Sequence, residues 1–199
     1  MGRSSKEEAA RTRERIVETA CKLFRDTGVD RISVADVMGA LGLTTGGFYK
    51  HFDSKEALVT EAVALAFEQS ASAWQAVSRG ESEEATAHMA RLVALYLRPD
   101  PQRRCPMIAF AAHVGSADVG EESRDTYLER TEALLESFVR QVKTKKAARS
   151  PSAAERHAMV LFAAMIGARV LKEAAGDAKW ARAVRDAVLD AACSKSPPH

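Results

Sequence analysis

Apolar positions in this chain recur at helical spacing from one end to the other, and strand-like alternation is nearly absent. One apolar stripe in the first segment, about residues 6–27, is formed by Ile16, Val17, Ala20, Leu23 and Phe24. This spacing predicts a long first helix. Gly28 stands where a left-handed C-terminal cap is expected.

Two short helices are predicted next. The stretch SVAD, residues 33–36, is a capping-box pattern that opens a second helix. Its expected buried positions are Val34, Val37, Met38 and Leu41. Gly42 interrupts the pattern, and TTGGFYKHF, residues 44–52, predicts a third helix with Phe48 and Phe52 on its inner face.

The rest of the chain continues in helices. Asp53, with Glu56 three residues on, is expected to cap a long helix that ends at Gly80. Further helices are predicted at about residues 82–97, 106–116, 122–146, 152–175 and 178–193. The predicted fold is all-α with about nine helices. A three-helix head covers residues 1–53, and a larger helical body covers residues 54–199.

The amino-acid composition excludes few classes of protein. The 199 residues are 46 % hydrophobic and 28 % charged, with a net charge of +2, which is too small to indicate a nucleic-acid partner. Three cysteines without a C-x-x-C pair suggest free thiols in a reducing cytosol. We find no signal-peptide pattern and no charge-free run of about 18 residues. A cytoplasmic protein without a membrane partner is therefore expected.

Catalytic motifs are missing from the sequence. It contains no P-loop, no H-E-x-x-H, no Glu-x-x-His pair and no G-x-S-x-G. We therefore expect no enzyme activity, no cofactor and no metal site.

The second and third helices, with the turn at Gly42 between them, have the spacing of a helix-turn-helix. The major groove of B-DNA admits one α-helix, and the second helix of such a pair lies in it. Gly46 and Gly47, on the first turn of the inserted helix, would let the backbone approach DNA closely. Arg11, Arg13 and Arg15 are candidates for a basic flank ahead of the motif. The same arrangement also occurs as a mere packing corner.

Residues 10–60 resemble the TetR/AcrR family of bacterial transcriptional regulators, through IVETACKLFRDTGVDRISVADVMGALGLTTGGFYKHFDSKEALV. Many positions at fixed offsets carry this resemblance. It implies a DNA-binding head on a divergent helical body, and a palindromic double-stranded operator as partner. Carried over residue by residue, it predicts DNA contacts, mostly to phosphates, at Thr44, Thr45, Tyr49, Lys50, His51 and Lys55. The predicted DNA-binding set also includes Ser33, Gly46 and Gly47.

The penultimate helix contains AMVLFAAMIGARVL, residues 158–171, which is apolar nearly all round and must be covered on both sides. It is either the centre of one subunit or part of a subunit interface. The resemblance implies a homodimer formed by the last two helices. Its predicted contact residues are Ala163, Ala164, Gly167, Ala168, Trp180, Val184 and Val188.

The resemblance also implies that the middle helices surround a pocket for a small-molecule effector of unknown identity. The candidate lining residues are Met89, Tyr96, Cys105, Met107, Phe110, His113, Tyr127, Phe162 and Met165. Each is also a plausible core residue, and His113 is interpreted first as a structural histidine with a partner.

Cys105 precedes Pro106 and follows Arg103 and Arg104, which places it at a helix N-cap beside cations. Such a setting lowers a thiol pKa, so modification of Cys105 is one hypothesis for how DNA is released. The alternative is a small residue that fills a helix junction.

The predicted function is therefore a dimeric transcriptional regulator, a repressor in the family's commoner mode. The competing interpretation is a helical small-molecule-binding protein or adaptor that does not touch DNA. It would require the Tyr49–Lys50–His51 cluster to have no partner.

Overall fold

The computed structural model describes residues 2–78, 85–98, 104–140 and 152–194, and within these ranges every regular element is helical. The helices are α1 (Gly2–Thr27), α2 (Val34–Ala40), α3 (Thr45–Phe48), α4 (Lys55–Ser78), α5 (Ala85–Leu97), α6 (Pro106–Ala109), α7 (Ala111–Val114), α8 (Glu121–Val139), α9 (Ala153–Ala175) and α10 (Lys179–Cys193), with a 3-10 turn at Val29–Arg31. The prediction of an all-α fold is confirmed. In the described part of the chain, no helix has the length and apolar character that crossing a bilayer requires.

The glycines after α1 and α2 and the capping residues of α2 act as the sequence predicted. Gly28, after α1, has a φ of +100°, and Gly42, after α2, has a φ of +68°. An L-residue with a side chain rarely adopts either value. Ser33 caps α2: its Oγ accepts a hydrogen bond from the Asp36 amide at 3.1 Å, and the Asp36 carboxylate accepts one from the Ser33 amide at 2.7 Å. The predicted capping box is confirmed.

The cap of α4 differs from the prediction. The Ala57 amide donates to the Ser54 hydroxyl at 3.0 Å, so Ser54 takes the position assigned to Asp53. A side chain caps a helix only from the residue just before its first turn, and α4 begins at Lys55. Gly80, predicted to end this helix, lies outside the described residues.

The helix predicted over residues 106–116 is interrupted, so the described residues form ten α-helices where about nine were predicted. It ends at Ala109, and α7 begins at Ala111 after Phe110. The Tyr127 hydroxyl donates to the Met107 carbonyl at 2.7 Å, the group that an uninterrupted helix would offer to the Ala111 amide. A contact with a distant helix therefore accompanies the break.

The helix predicted over residues 122–146 is described as far as Val139, and the basic run at 143–149 lies outside the described residues. The last two predicted helices agree with α9 and α10 within one residue at each end. Ser152 and Glu155 form a second capping box at the start of α9.

The chain divides into two compact units. Unit 1 comprises residues 1–70 and 101–131, and unit 2 comprises residues 71–100 and 132–199. In unit 1, the Arg25 guanidinium donates to the Arg104 carbonyl at 2.8 Å, and the Thr60 and Ser123 hydroxyls share a buried hydrogen bond of 2.8 Å. α1 is thus tied to residue 104, and α4 is tied to α8.

Unit 2 contains α5, α9 and α10 around an aromatic cluster. Trp74 lies within 6.1–6.4 Å of the rings of Tyr96, Phe138 and Phe162. The Arg169 guanidinium donates to the Tyr96 carbonyl at 2.9 Å and faces the Tyr96 ring. The predicted functional boundary between residues 53 and 54 is not a boundary of compact packing, and as a division of function it stays a prediction.

Candidate nucleic-acid interface

The short helix α3 is held from behind by two phenyl rings. Phe48 and Phe52 are buried, and their rings stack with centroids 5.3 Å apart and planes 21° from parallel. The rings of Tyr49 and Phe48 pack edge to face, with their centroids 5.2 Å apart. Burial of the two phenylalanines fixes which side of α3 faces outward.

The outward side carries most of the residues predicted to contact DNA. Thr44, Thr45, Gly46 and Lys50 are exposed, and Tyr49 retains 66 % of its accessible surface. Gly47 and His51 are half-buried. Hydroxyl, ammonium and imidazole groups thus lie side by side on a helix that is thin at its N-terminal end.

Neither glycine of α3 is required by the chain itself. A Cβ built at Gly46 meets no atom of the described residues within 4 Å. At Gly47 the nearest atoms, Met38 Cε at 3.7 Å and Thr44 Oγ1 at 3.8 Å, are at ordinary contact distances. Both glycines have φ values that other residues adopt. The missing side chains therefore create room toward the outside of the molecule.

Two residues predicted to contact DNA also have partners inside unit 1. The Ser33 hydroxyl takes part in the α2 capping box. The Lys55 ammonium donates to the Val29 carbonyl at 2.7 Å and lies 5.9 Å from the Phe24 ring centroid. Both side chains therefore stabilise the ends of local elements, whatever else they contact.

The basic flank predicted on α1 is only partly available. Arg13 forms a two-pronged ion pair with Glu61 of α4, and its guanidinium lies 4.5 Å from the centroid of the Phe52 ring. Arg11 lies 3.9 Å from Glu7 one turn away, with both side chains exposed. Glu61 was not among the predicted site residues, because 48 positions separate it from Arg13 and no local pattern links them.

The short helix α3 has a polar outward face, is supported by buried rings, and follows a capped helix and a tight turn. This is the geometry of a helix-turn-helix motif. Residues 16–62 match the profile of a family described as bacterial regulatory proteins, tetR family. The resemblance of this segment to the TetR family, predicted from the sequence, is thus confirmed.

Two known regulators match a segment of similar length. The chain is 44 % identical over 59 residues to the HTH-type transcriptional regulator TtgR of Pseudomonas putida, which is 30 % of this chain and 28 % of TtgR. It is 39 % identical over 61 residues to the HTH-type transcriptional regulator AcrR of Shigella flexneri, which is 31 % of this chain and 28 % of AcrR. These matches span less than a third of this chain and of each relative.

The fold similarity extends much further than the sequence similarity. A TetR-family transcriptional regulator from Cytophaga hutchinsonii superimposes with a TM-score of 0.79 over 96 % of this chain and 98 % of that one, at 20 % sequence identity. At this identity the comparison establishes the helical fold of head and body.

The predicted effector-pocket residues fall into two groups. Unit 1 holds Cys105, Met107, Phe110, His113 and Tyr127, and unit 2 holds Met89, Tyr96, Phe162 and Met165. Most are buried, and burial raises the pKa of the half-buried Tyr127. That these residues line one pocket stays a prediction.

One ring nitrogen of His113 has the hydrogen-bond partner that a structural histidine needs, whereas the buried Nε2 forms no hydrogen bond with the described residues. Its Nδ1 lies 3.4 Å from an Asp30 carboxylate oxygen, and its Nε2 lies 3.5 Å from Glu56 Oε2. The other oxygen of Glu56 accepts from the Gly120 amide at 3.3 Å. His113 therefore connects α7 with the turn after α1 and with the start of α4.

Cys105 occupies the predicted N-cap of α6, with Pro106 at the first helical position. However, only 3 % of its surface is exposed, so an external reagent has little access to the thiol. Arg103 lies outside the described residues. Cys21 is also buried, which raises its pKa, whereas Cys193 is exposed.

The predicted dimer residues differ in exposure. Ala163, Gly167 and Trp180 are exposed, Ala164 and Val184 are half-buried, and Ala168 and Val188 are buried within the single chain. Four apolar residues not on the predicted list lie on the same exposed side of α9. Together with the first two they form the α9 strip: Met159, Val160, Ala163, Gly167, Val170 and Leu171. Their i, i+3, i+4 spacing was visible in the sequence, but the side that faces solvent was not.

Proposed function

We propose that this chain is a homodimeric transcriptional regulator that binds a palindromic DNA operator through α3 and is released by a small-molecule effector. The observation that carries the proposal is the outward face of α3. Its side chains are polar, and two buried phenyl rings support it from behind. No contact within the described residues requires glycine at either of its two glycine positions. The match of residues 16–62 to the tetR family of bacterial regulatory proteins supports the same assignment.

DNA is the partner that this face fits best. Thr44, Thr45 and Lys50 are exposed and can donate to phosphates, and Tyr49 and His51 add further hydrogen-bonding groups beside them. The absence of side chains at Gly46 and Gly47 allows the N-terminal turn of α3 to approach the groove closely.

Two copies explain how a short helix gains sufficient affinity. One head meets few base pairs, whereas two heads about 34–36 Å apart meet successive major-groove faces of a palindrome. The α9 strip is the part of unit 2 that fits a second copy, because contiguous exposed apolar residues mark protein interfaces.

The effector is proposed to act through the body. A ligand that favours one arrangement of the helices changes the head spacing, and about 1–3 kcal/mol of coupling alters DNA affinity 5- to 150-fold. We propose repression as the sense of regulation, which is the commoner mode of the family. The burial of Cys105 favours a small molecule over thiol modification as the releasing signal.

The deciding experiment measures binding to DNA from upstream of the chain's own gene, by fluorescence anisotropy at several salt concentrations. We expect affinity to fall steeply as salt rises, because phosphate contacts release counterions. The double variant Tyr49→Ala, Lys50→Ala is expected to lose about 100-fold in affinity. Lys22→Ala, an exposed lysine of α1, is the matched control.

Two results would favour the adaptor interpretation. One is a failure to enrich any duplex from a random DNA library. The other is a double variant that binds as tightly as the parent protein. A thermal-shift screen of small molecules then identifies the effector, because a ligand of the native state raises the unfolding temperature.

A further inference from the structure

A continuous set of contacts runs from α4 through α1 to the recognition helix, all of it within unit 1. Arg13 Nη1 donates to Glu61 Oε2 at 2.5 Å, and its Nη2 donates to the second carboxylate oxygen. The same guanidinium lies over the Phe52 ring at 4.5 Å. One planar cation thus contacts a carboxylate on α4 and the aromatic support of α3.

The contacts continue into α3 itself. Phe52 stacks on Phe48, the last residue of the helix, and Phe48 meets the edge of Tyr49. Both phenyl rings are buried in close-packed surroundings, so there is no free space next to Phe52. A shift of the Phe52 ring therefore displaces Phe48. The orientation of α3 is therefore coupled to the ring beneath Arg13.

Stability alone is a poor explanation for this ion pair. The Arg13 and Glu61 side chains are 42 % and 36 % exposed, and partly exposed pairs contribute little to folding. The guanidinium, however, has a fixed fork and a flat face, so a two-pronged partner also fixes the plane that it presents to a ring. The hydrogen bonds from Arg13 to Glu61 also raise the pKa of Arg13 above its ordinary value.

We infer that Arg13 is a positioning residue for DNA binding: Glu61 holds its guanidinium over Phe52 and thereby sets the orientation of α3. The inference rests on the proposed function. It replaces the sequence-based expectation that Arg13 belongs to a basic flank that contacts phosphates directly.

The two roles of Arg13 predict opposite effects of Glu61→Gln on DNA affinity. If Arg13 contacts phosphate, removal of the carboxylate frees the cation and deletes a negative charge near DNA, so affinity rises. If Arg13 positions α3, the amide cannot hold both guanidinium nitrogens, and affinity falls by about threefold to tenfold. Glu68→Gln, an exposed carboxylate of the same helix, controls for the change in net charge.

Arg13→Lys provides a second test, since lysine keeps the charge but loses the fork and the flat face. We expect a loss similar to that of Glu61→Gln, while the dependence of affinity on salt keeps its slope. A lysine variant that binds DNA as well as the parent protein would contradict the positioning role.

A double-mutant cycle distinguishes positioning from a general loss of stability. In a Phe52→Leu background the ring is gone, so Glu61→Gln is expected to cause no further loss of affinity. Equal effects of Glu61→Gln with and without the ring would overturn the inference, as would unchanged or higher affinity in the single variant. Unfolding temperatures of all variants confirm that folded proteins are compared.

Failure of the proposed function gives a different result. In that case the parent protein itself shows no salt-dependent DNA binding. If the parent protein binds and Glu61→Gln binds equally well or better, only the positioning role fails.

Discussion

The outward face of α3 and the α9 strip are both exposed helix surfaces, yet their chemistry is opposite. On α3 the apolar residues Phe48 and Phe52 are buried, and the polar residues face solvent. On α9, residues such as Val160 and Leu171 face solvent. A hydrated polyanion fits the first surface, and a second protein surface that excludes water fits the other.

One detail is common to the two surfaces. At Gly46 of α3 and at Gly167 of α9, a Cβ would meet no atom of the described residues within 4 Å, and neither glycine has a positive φ. The chain itself could therefore carry a side chain at both positions. Under the proposed function, an external partner would explain the small residue at each position: DNA at Gly46 and a second copy of the chain at Gly167.

The largest expected effect comes from placing a charge in the α9 strip. Ala163→Glu would bury a carboxylate in the proposed interface, so we expect a monomer that binds operator DNA about 100-fold more weakly or worse, since the two linked heads are lost. Sedimentation and DNA titration measure both properties. Ala154→Glu is the same change at an exposed position in the first turn of α9, outside the strip. A dimer that survives Ala163→Glu would show that the strip is not the interface.

A side chain at Gly46 is expected to separate stability from binding. Gly46→Ala should stabilise the protein by about 0.4–1 kcal/mol, because it restricts the unfolded chain and meets no atom of the described residues in the fold. Gly46→Leu should weaken DNA binding by about tenfold, because the larger side chain would hold the start of α3 away from the DNA groove. Gly39→Ala in α2 provides the comparison, with a similar gain in stability and no loss of affinity. Unchanged affinity of Gly46→Leu would show that α3 does not approach DNA closely.

The cysteines are expected to differ in reactivity without affecting DNA binding. Cys193 should be alkylated about tenfold faster than Cys21 and Cys105, because the two buried thiols react only when the structure opens. Burial also raises the Cys21 pKa, which lowers its thiolate fraction. Mass spectrometry over time measures each rate, and Cys193→Ser isolates the buried pair. Fast labelling of Cys105 together with loss of DNA affinity would revive the thiol-sensing hypothesis.

The sequence was most informative where the responsible residues are neighbours. The capping box of Ser33 and Asp36, the turn at Gly42 and the inward pair Phe48 and Phe52 each lie within a few positions, so their geometry follows from helix periodicity. The all-α fold and the helix-turn-helix could therefore be predicted.

Contacts between distant segments could not be predicted. The break at Phe110 accompanies a hydrogen bond from Tyr127, and the fixed position of Arg13 depends on Glu61. In each case the local pattern is satisfied by more than one arrangement, and tertiary contacts select one. The N-cap of α4 shows the same limit at short range, since Asp53 and Ser54 are both good caps and only the observed start of the helix distinguishes them.

The smallest expected effect concerns the cap that starts α2, where the helix-turn-helix begins. Hydrogen bonds from the Ser33 hydroxyl, and next from the Ser33 amide, lower the Asp36 pKa below its ordinary value of 3.8. Because the folded state favours the carboxylate, the stabilisation is fully present above pH 3.8 and is lost as the pH falls through the lowered folded-state pKa. The unfolding temperature of Asp36→Asn should therefore be lower than that of the parent protein at pH 6. This difference in unfolding temperature should shrink as the pH falls below 3.8.

Asp53→Asn is the control, because it removes the same charge without removing a cap. Its unfolding temperature should stay close to that of the parent protein at pH 6. A gap for Asp36→Asn that stays constant with pH would show that the ionised carboxylate is not what stabilises the start of α2.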